Sequence, residues 1–292
     1  MTDRIHVGLL SAVAMALIVS PGLSSCSKPA EQNAAQANAA EENAGAQETS
    51  EQAPSNDQST QNAKALLKSM SDYLAAQKSF SLSYDSVFEV VSDQHQKFQI
   101  ATSGTVDMTR PDKIRATRKS GFTDTETVFD GRTLTIYGKS KNAYVQAEVP
   151  GTVDNLIDQL RDRFHRQLPG ADLLGSNVYD ALMTDVTDVK DLGSGVIGGQ
   201  ECDHLAIRAK ETDWQIWIAQ GANPYPCRYV ITSRGVDQAP QFTMTIRDWK
   251  AGSAADFSFK PPGGATKLDA KDLETLKETS DLPENYRIGA AK

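Results

Sequence analysis

From Phe80 to Phe259, apolar side chains recur at every second position in short runs, with only a few residues between one run and the next. Alternation at period two describes strands that bury one face and leave the other to water. Phe80, Leu82 and Tyr84 begin the first run, and Phe98, Ile100, Val106 and Met108 mark the second. Further strands are expected at residues 113–119, 123–129, 132–137 and 142–148, and then at 186–192, 200–209, 214–219, 228–234, 241–249 and 256–259. Asp130-Gly131 between two alternating runs is the strongest hairpin signal in the chain. Parallel neighbours need crossovers of about a dozen residues or more, so these short links imply an antiparallel meander of about ten strands. A sheet of that size does not stay flat: its twist makes it coil, close or split.

Helical spacing precedes the strands and interrupts them once. Leu66, Leu67, Met70, Tyr73 and Leu74 predict an amphipathic helix over 63–78. Val153, Leu156, Ile157, Leu160 and Phe164 predict another that stops before Pro169-Gly170, and shorter helical pieces follow at 171–174 and 177–183. The expected fold is therefore mainly β with covering helices (α+β), a strongly curved antiparallel half-barrel. Such a sheet wrapped around helices leaves an apolar interior large enough for a lipid chain. Its candidate lining is Phe80, Leu82, Phe98, Ile100 and Ile114, with Phe129, Ile136, Trp214 and Ile216 further along, and Leu156, Leu160 and Phe164 as a helical lid. Trp214, Ile216 and Ile218 share one face of their strand, which leaves Trp217 on the other.

The N-terminal region is of another kind. Residues 7–19 are apolar and uncharged, too short for a spanning helix of about 20 residues but suited to a signal-peptide core. Leu23-Ser24-Ser25-Cys26 then resembles the bacterial lipoprotein processing box. That resemblance implies a signal peptide over 1–25, lipid on the Cys26 thiol and a periplasmic protein held to a membrane by its N-terminus. Ser27 in place of aspartate implies, by the same resemblance and for a diderm host, the outer membrane. Residues 27–62 contain no aromatic or large aliphatic side chain and cannot offset their ordering entropy, so 26–62 is read as a lipidated, disordered tether. The tether carries one Lys against five Glu and one Asp, which leaves about minus 3 of the formal minus 8 for everything after it. A nearly balanced body of this kind does not indicate a dominant nucleic-acid surface, and no nucleic-acid partner is expected. The curved-sheet domain is assigned to 63–265 and a polar tail to 266–292.

Candidate chemistry is sparse. No HExxH, paired CxxC, phosphate-binding loop or GxSxG occurs, so no metal, cofactor or catalytic residue is expected. Asp203 points away from Cys202 and His204, which rules out a local triad, although a Cys202–His204 pair leaves a hydrolase reading open. An oxidising compartment permits Cys202 and Cys227 to pair. In a plain meander, however, their strands flank 214–219 and stand about 10 Å apart, beyond the limit near 7 Å. Pairing then requires the 221–226 loop to bend Cys227 back; otherwise both are buried thiols. Arg110, Lys113, Arg115, Arg118 and Lys119 form a basic run that is either a solvated edge guarded against aggregation or an attraction for headgroups or an acidic partner.

The C-terminal half carries a family resemblance. Gly198-Gly199-Gln200-Glu201-Cys202-Asp203-His204-Leu205-Ala206, Asp213-Trp214-Gln215-Ile216-Trp217-Ile218, Pro224-Tyr225-Pro226 and Phe257-Ser258-Phe259-Lys260-Pro261-Pro262-Gly263 resemble the DUF2092 family of predicted periplasmic proteins, over residues 65–265. The family is similar in architecture to the periplasmic lipoprotein carrier and the outer-membrane lipoprotein receptor. This implies a half-barrel plugged by helices, a cavity for lipid or lipoprotein acyl chains, and no catalytic residue to carry over. The expected function is a monomeric, non-enzymatic envelope lipoprotein that binds an acyl chain, its tether favouring reception over shuttling. The alternatives are a structural or sensory envelope protein whose cavity its own side chains fill, and, behind it, a hydrolase using His204.

Overall fold

The computed structural model describes residues 56–163 and 168–269. Helix α1 (Asn56–Ala76) leads into six strands, β1 (Ser79–Val91), β2 (Lys97–Thr109), β3 (Lys113–Lys119), β4 (Asp124–Phe129), β5 (Thr133–Gly138) and β6 (Ala143–Glu148). Helix α2 (Val153–Asp162), a 3-10 turn (Ala171–Leu174) and helix α3 (Val178–Met183) follow. The chain then returns to strands as β7 (Val186–Ile197), β8 (Gln200–Ala209), β9 (Thr212–Ala219), β10 (Pro226–Ser233), β11 (Gln241–Ala251) and β12 (Thr266–Leu268).

All twelve strands belong to one open, curved sheet in the order β12-β6-β5-β4-β3-β2-β1-β11-β10-β9-β8-β7. Two antiparallel meanders therefore meet at β1 and β11, where the single meander expected from the short links is corrected. β6 and β7 are consecutive in sequence yet lie near opposite edges of the sheet. The segment between them has to cross the concave face, and it carries α2, the 3-10 turn and α3 with it. Thr152 caps α2 by accepting a hydrogen bond from the Asn155 amide.

The concave face is filled unequally. On the β7–β10 side, Leu67, Met70 and Leu74 of α1 and Leu182 of α3 pack on Leu205, Ile207, Trp214 and Ile216. On the β1–β6 side, Val153, Leu156 and Leu160 of α2 face Phe80, Leu82, Val106 and Phe129. Met244 and Trp249 of β11 touch both clusters and form the seam. The start of α1 at Asn56, ahead of the expected 63, has a local cause: the Ser59 hydroxyl accepts from the Asp191 amide and Thr60 donates to the Val189 carbonyl. These bonds cover part of the β7 edge, a role that polar residues without apolar spacing do not advertise.

Three expectations at strand ends are corrected. The strand expected to end at 192 continues as β7 to Ile197, past a bulge between Asp191 and Ser194, and turns at Gly198-Gly199. Residues 256–259 form no strand: the Asp256 and Ser258 carbonyls accept from the Arg115 guanidinium and Phe259 rests on Tyr137 and Tyr144. The tail assignment from 266 also changes, since Thr266–Leu268 pairs in parallel with β6 as β12. The signal peptide, Cys26, the tether up to residue 55, Phe164 and the tail from residue 270 lie outside the described residues.

Candidate functional site

Strand register sets up a cavity on the β1–β6 side. Phe80 and Leu82 of β1 stand opposite Met108 and Val106 of β2, which in turn oppose Ile114 and Ala116 of β3. Beyond them, Ile136 of β5 reaches the same space, and Leu156, Ile157 and Leu160 of α2 roof it. The cavity has a volume of about 630 Å³, within the range of roughly 300–1,000 Å³ typical of small-molecule sites. Phe88 pairs with Ile100 on one side and Phe242 on the other, forming an apolar row across three strands at one end of the cavity. Phe88 is 38% exposed and Leu168, which also lines the space, is 46% exposed, so the opening lies between them.

The far wall comes from β11, whose place beside β1 no local signal predicts. Phe242, Met244 and Ile246 face inward by simple alternation. Trp249 joins them because two residues, Asp248 and Trp249, oppose Leu82 alone, with Asp248 in the left-handed region at φ 52°. The indole stacks on Phe80 at 4.8 Å and on Tyr225 at 5.6 Å, and its Nε1 donates to the Tyr73 hydroxyl at 3.1 Å. Gly170, at φ 84°, passes the loop after α2 so closely over Met244 that an added Cβ would stand 2.9 Å from its methyl.

Of the candidate lining, Phe80, Leu82, Ile100, Ile114 and Ile136 border the cavity, as do Leu156 and Leu160 of the lid. Phe98 is half-buried beyond Ile100 and outside it. Phe129, Trp214 and Ile216 are corrected from lining to packed core. Phe129 is closed in among Leu134, Val149 and Val153, and α1 covers Trp214 and Ile216. The lining residues that periodicity missed include Phe88, Val106, Ala116 and Met244, which sit on the correct faces of expected strands, and Trp249, which the bulge turns to that face. Only strand order and a bulge select them.

Polar groups enter the cavity as a belt. Tyr84 lies across Gly104, where an added Cβ would stand 2.6 Å from the ring, and donates to the Thr117 carbonyl of β3 at 3.2 Å. Burial pushes the phenol above its usual pKa, against the pull of the Arg118 charge. Arg118, Thr125, Thr127 and the opposed pair Ser86 and Thr102 also line the cavity. The basic run is thereby split up. β3 is an interior strand, Arg115 turns outward to Glu126, Arg118 faces the cavity, and Arg110 donates to the Leu174 and Leu74 carbonyls at the ends of the 3-10 turn and α1.

The 3-10 turn is also held to the sheet by a part-buried polar pair, the Tyr229 hydroxyl donating to Asp172 Oδ2 at 3.1 Å. Burial raises the Asp172 carboxyl above the usual aspartate value, while the Tyr229 and backbone bonds pull the other way. A raised folded-state pKa contributes most when both folded and unfolded states are protonated. That contribution disappears as pH climbs from the unfolded value, about 3.9, through the folded one. Asp172→Asn is therefore expected to raise Tm at neutral pH and to lose that advantage as pH approaches 4. A pH series of melting curves checks this, and a gain independent of pH would exclude the carboxylate as its cause.

The convex face carries the groups considered for catalysis. Cys202 and Cys227 are joined in a disulfide with their Cα atoms 7.0 Å apart. The separation expected of a plain meander does not apply: Pro226 pairs with Ile218 and Arg228 with Trp217, so Cys227 is an extra, bulged residue where β9 ends at Ala219. Trp217, opposite in direction to Trp214, stacks on His204 at 4.0 Å. His204 Nε2 lies 2.9 Å from Gln215 Oε1. With Cys202 bonded to Cys227, the thiol of the suggested Cys–His pair is not available as a nucleophile.

A family model described as predicted periplasmic protein, DUF2092, matches residues 63–270. No protein of curated function matches the chain by sequence. Among solved structures, an uncharacterized conserved protein from Thermus thermophilus is similar at 11% identity and TM-score 0.43, over 71% of this chain and 99% of that one. LprF from Mycobacterium bovis aligns at 14% identity and TM-score 0.42, covering 70% and 98%. A LolA superfamily protein from Nitrosomonas europaea aligns at 11% identity and TM-score 0.33, covering 68% and 97%.

Proposed function

Because the chain belongs to the DUF2092 family of predicted periplasmic proteins, we propose that it holds an acyl chain of a lipid or lipoprotein in the cavity beneath α2. The observation that carries this reading is an apolar space of about 630 Å³ that the protein's own side chains leave unfilled, with a mouth at Phe88 and Leu168. Each methylene withdrawn from water is worth about 0.8 kcal/mol, so a chain crossing an aqueous compartment gains from such a space. Binding rather than catalysis fits the side chains around it, which among the described residues are hydrocarbon, the Met244 thioether, the Trp249 indole, hydroxyls and one guanidinium. Lipidation of Cys26 and anchoring at the outer membrane, taken from the sequence, would make the protein a receiver at one surface.

A second reading, a structural or sensory protein with a self-filled interior, draws on the half of the concave face that α1 already packs. Native mass spectrometry of protein gently purified from its host, combined with lipid extraction, separates the two. A reproducible acyl-bearing species is expected. Protein that is consistently free of lipid, with no uptake of added fatty acyl probes, would favour the self-filled reading.

A further inference from the structure

Resting on that reading, the dimensions of the cavity limit how many chains it takes. Phe80, Leu82, Tyr84, Ser86 and Phe88, five successive inward residues of β1, all border it. Side chains two residues apart on a strand stand about 6.7 Å apart, so these five rows span about 27 Å. One end opens between Phe88 and Leu168. The other is closed by Leu74 and Phe80, both buried, with Trp249 stacked on the Phe80 ring. A volume of about 630 Å³ drawn out over that length has a mean cross-section of about 23 Å². A roughly 150 Å³ apolar cavity takes one benzene, which allots about 25 Å³ to each carbon. Tetrahedral single bonds of about 1.5 Å advance an extended alkyl chain by about 1.25 Å per carbon, so the chain fills about 20 Å². One chain fits abreast and two do not. Volume alone agrees, since one sixteen-carbon chain needs about 400 Å³ and a pair about 800 Å³. At mid-length the passage is kept clear by a glycine: Tyr84 lies across Gly104 and donates to the Thr117 carbonyl, so its ring covers the sheet instead of standing in the passage.

We propose that this is a single-file site for one extended alkyl chain of about 16–20 carbons, its methyl end against Phe80 and its polar head left at the mouth. The guest class is a monoacyl amphiphile, a free fatty acid or a lysophospholipid. A lipid with two or three chains gains burial for only one of them, and the rest stay outside between Phe88 and Leu168 in contact with water.

The test uses the purified, delipidated full chain and displacement of a fluorescent fatty acid by unlabelled ligands. Across saturated fatty acids of about 8 to 22 carbons, affinity should rise by up to roughly fourfold per added methylene and level off near about 18 carbons. Ala116 stands in the row of Leu82 and Val106, so Ala116→Phe places a ring in the passage one row short of its closed end. That substitution should lower the plateau by about five carbons or more and leave the shortest acids bound as before. Ala116→Leu should lower it by less, and carries the test if melting curves show that the Phe variant is poorly folded. Dioctanoyl phosphatidylcholine should bind within about tenfold of octanoyl lysophosphatidylcholine, because its second chain gains no burial. Palmitate and palmitoyl lysophosphatidylcholine, compared at equal chain length, assign the guest as free acid or lysophospholipid, and either supports the proposal. A larger gain from the second chain, or a plateau that is absent or unmoved in a folded Ala116 variant, overturns the single-chain assignment and leaves the acyl-binding function standing. Failure of the fluorescent acid and of every ligand to bind overturns both.

Discussion

Phe129→Ala is expected to destabilise the protein by about 3–5 kcal/mol, the range for truncating a buried aromatic, whereas Phe88→Ala should change stability by less than about 1 kcal/mol. Both residues project from the concave face of the same sheet. Phe129 is fully enclosed, while Phe88 keeps 38% of its surface exposed at the mouth. Removing the Phe129 ring leaves a void that packed neighbours cannot collapse into, and removing the Phe88 ring only widens an existing opening. Denaturant midpoints for the two variants measure the contrast. Similar losses would mean that the mouth is packed as tightly as the base, and the cavity would no longer be credible as a site for a guest. Phe88→Ala should instead register as weaker binding of acyl probes.

Loss of the Cys202–Cys227 bond is expected to cost about 3.5 kcal/mol on the chain-entropy account, given the partners' sequence separation of 25. The double substitution Cys202→Ala and Cys227→Ala tests this without creating an unpaired thiol. Melting with and without reductant should reproduce the difference in the wild type and show none in the double variant. The bond closes the β8–β9–β10 end next to Pro226, which borders the cavity. Its loss should therefore also weaken acyl binding. An unchanged melting temperature under reductant would mean that the surrounding packing by Tyr225, Trp217 and Ile197 holds this end alone.

Much of the local structure was legible in the residue pattern. β3 and β8 occupy the intervals that alternation marks, and Trp214, Ile216 and Ile218 are buried together while Trp217 faces away. α2 starts at Val153, where Thr152 precedes an apolar period of three and four. These features depend on a few consecutive side chains and on backbone geometry. The cavity wall was legible only in part, because alternation says which residues share a face but not which faces meet. Trp214 and Ile216 looked as suitable as Phe80 and Leu82, and α1 decides between them by packing on the first pair and leaving the second to α2 and the open space. Trp249 enters only because a bulge at Asp248 reverses the side expected from its strand.

By itself, then, the order of amino acids determined most strand and helix intervals, the side of most strands turned inward, the curvature that so many twisted strands impose, and membership of the DUF2092 family. Tertiary structure alone decided that β11 lies against β1, that the link from β6 to β7 spans the concave face, and that one half is filled while the other stays hollow. The physical reason is range. Alternation and capping are settled between neighbours in sequence, whereas the pairing of Phe88 with Phe242, or the stacking of Trp249 on Phe80, joins residues that only the closed sheet brings together.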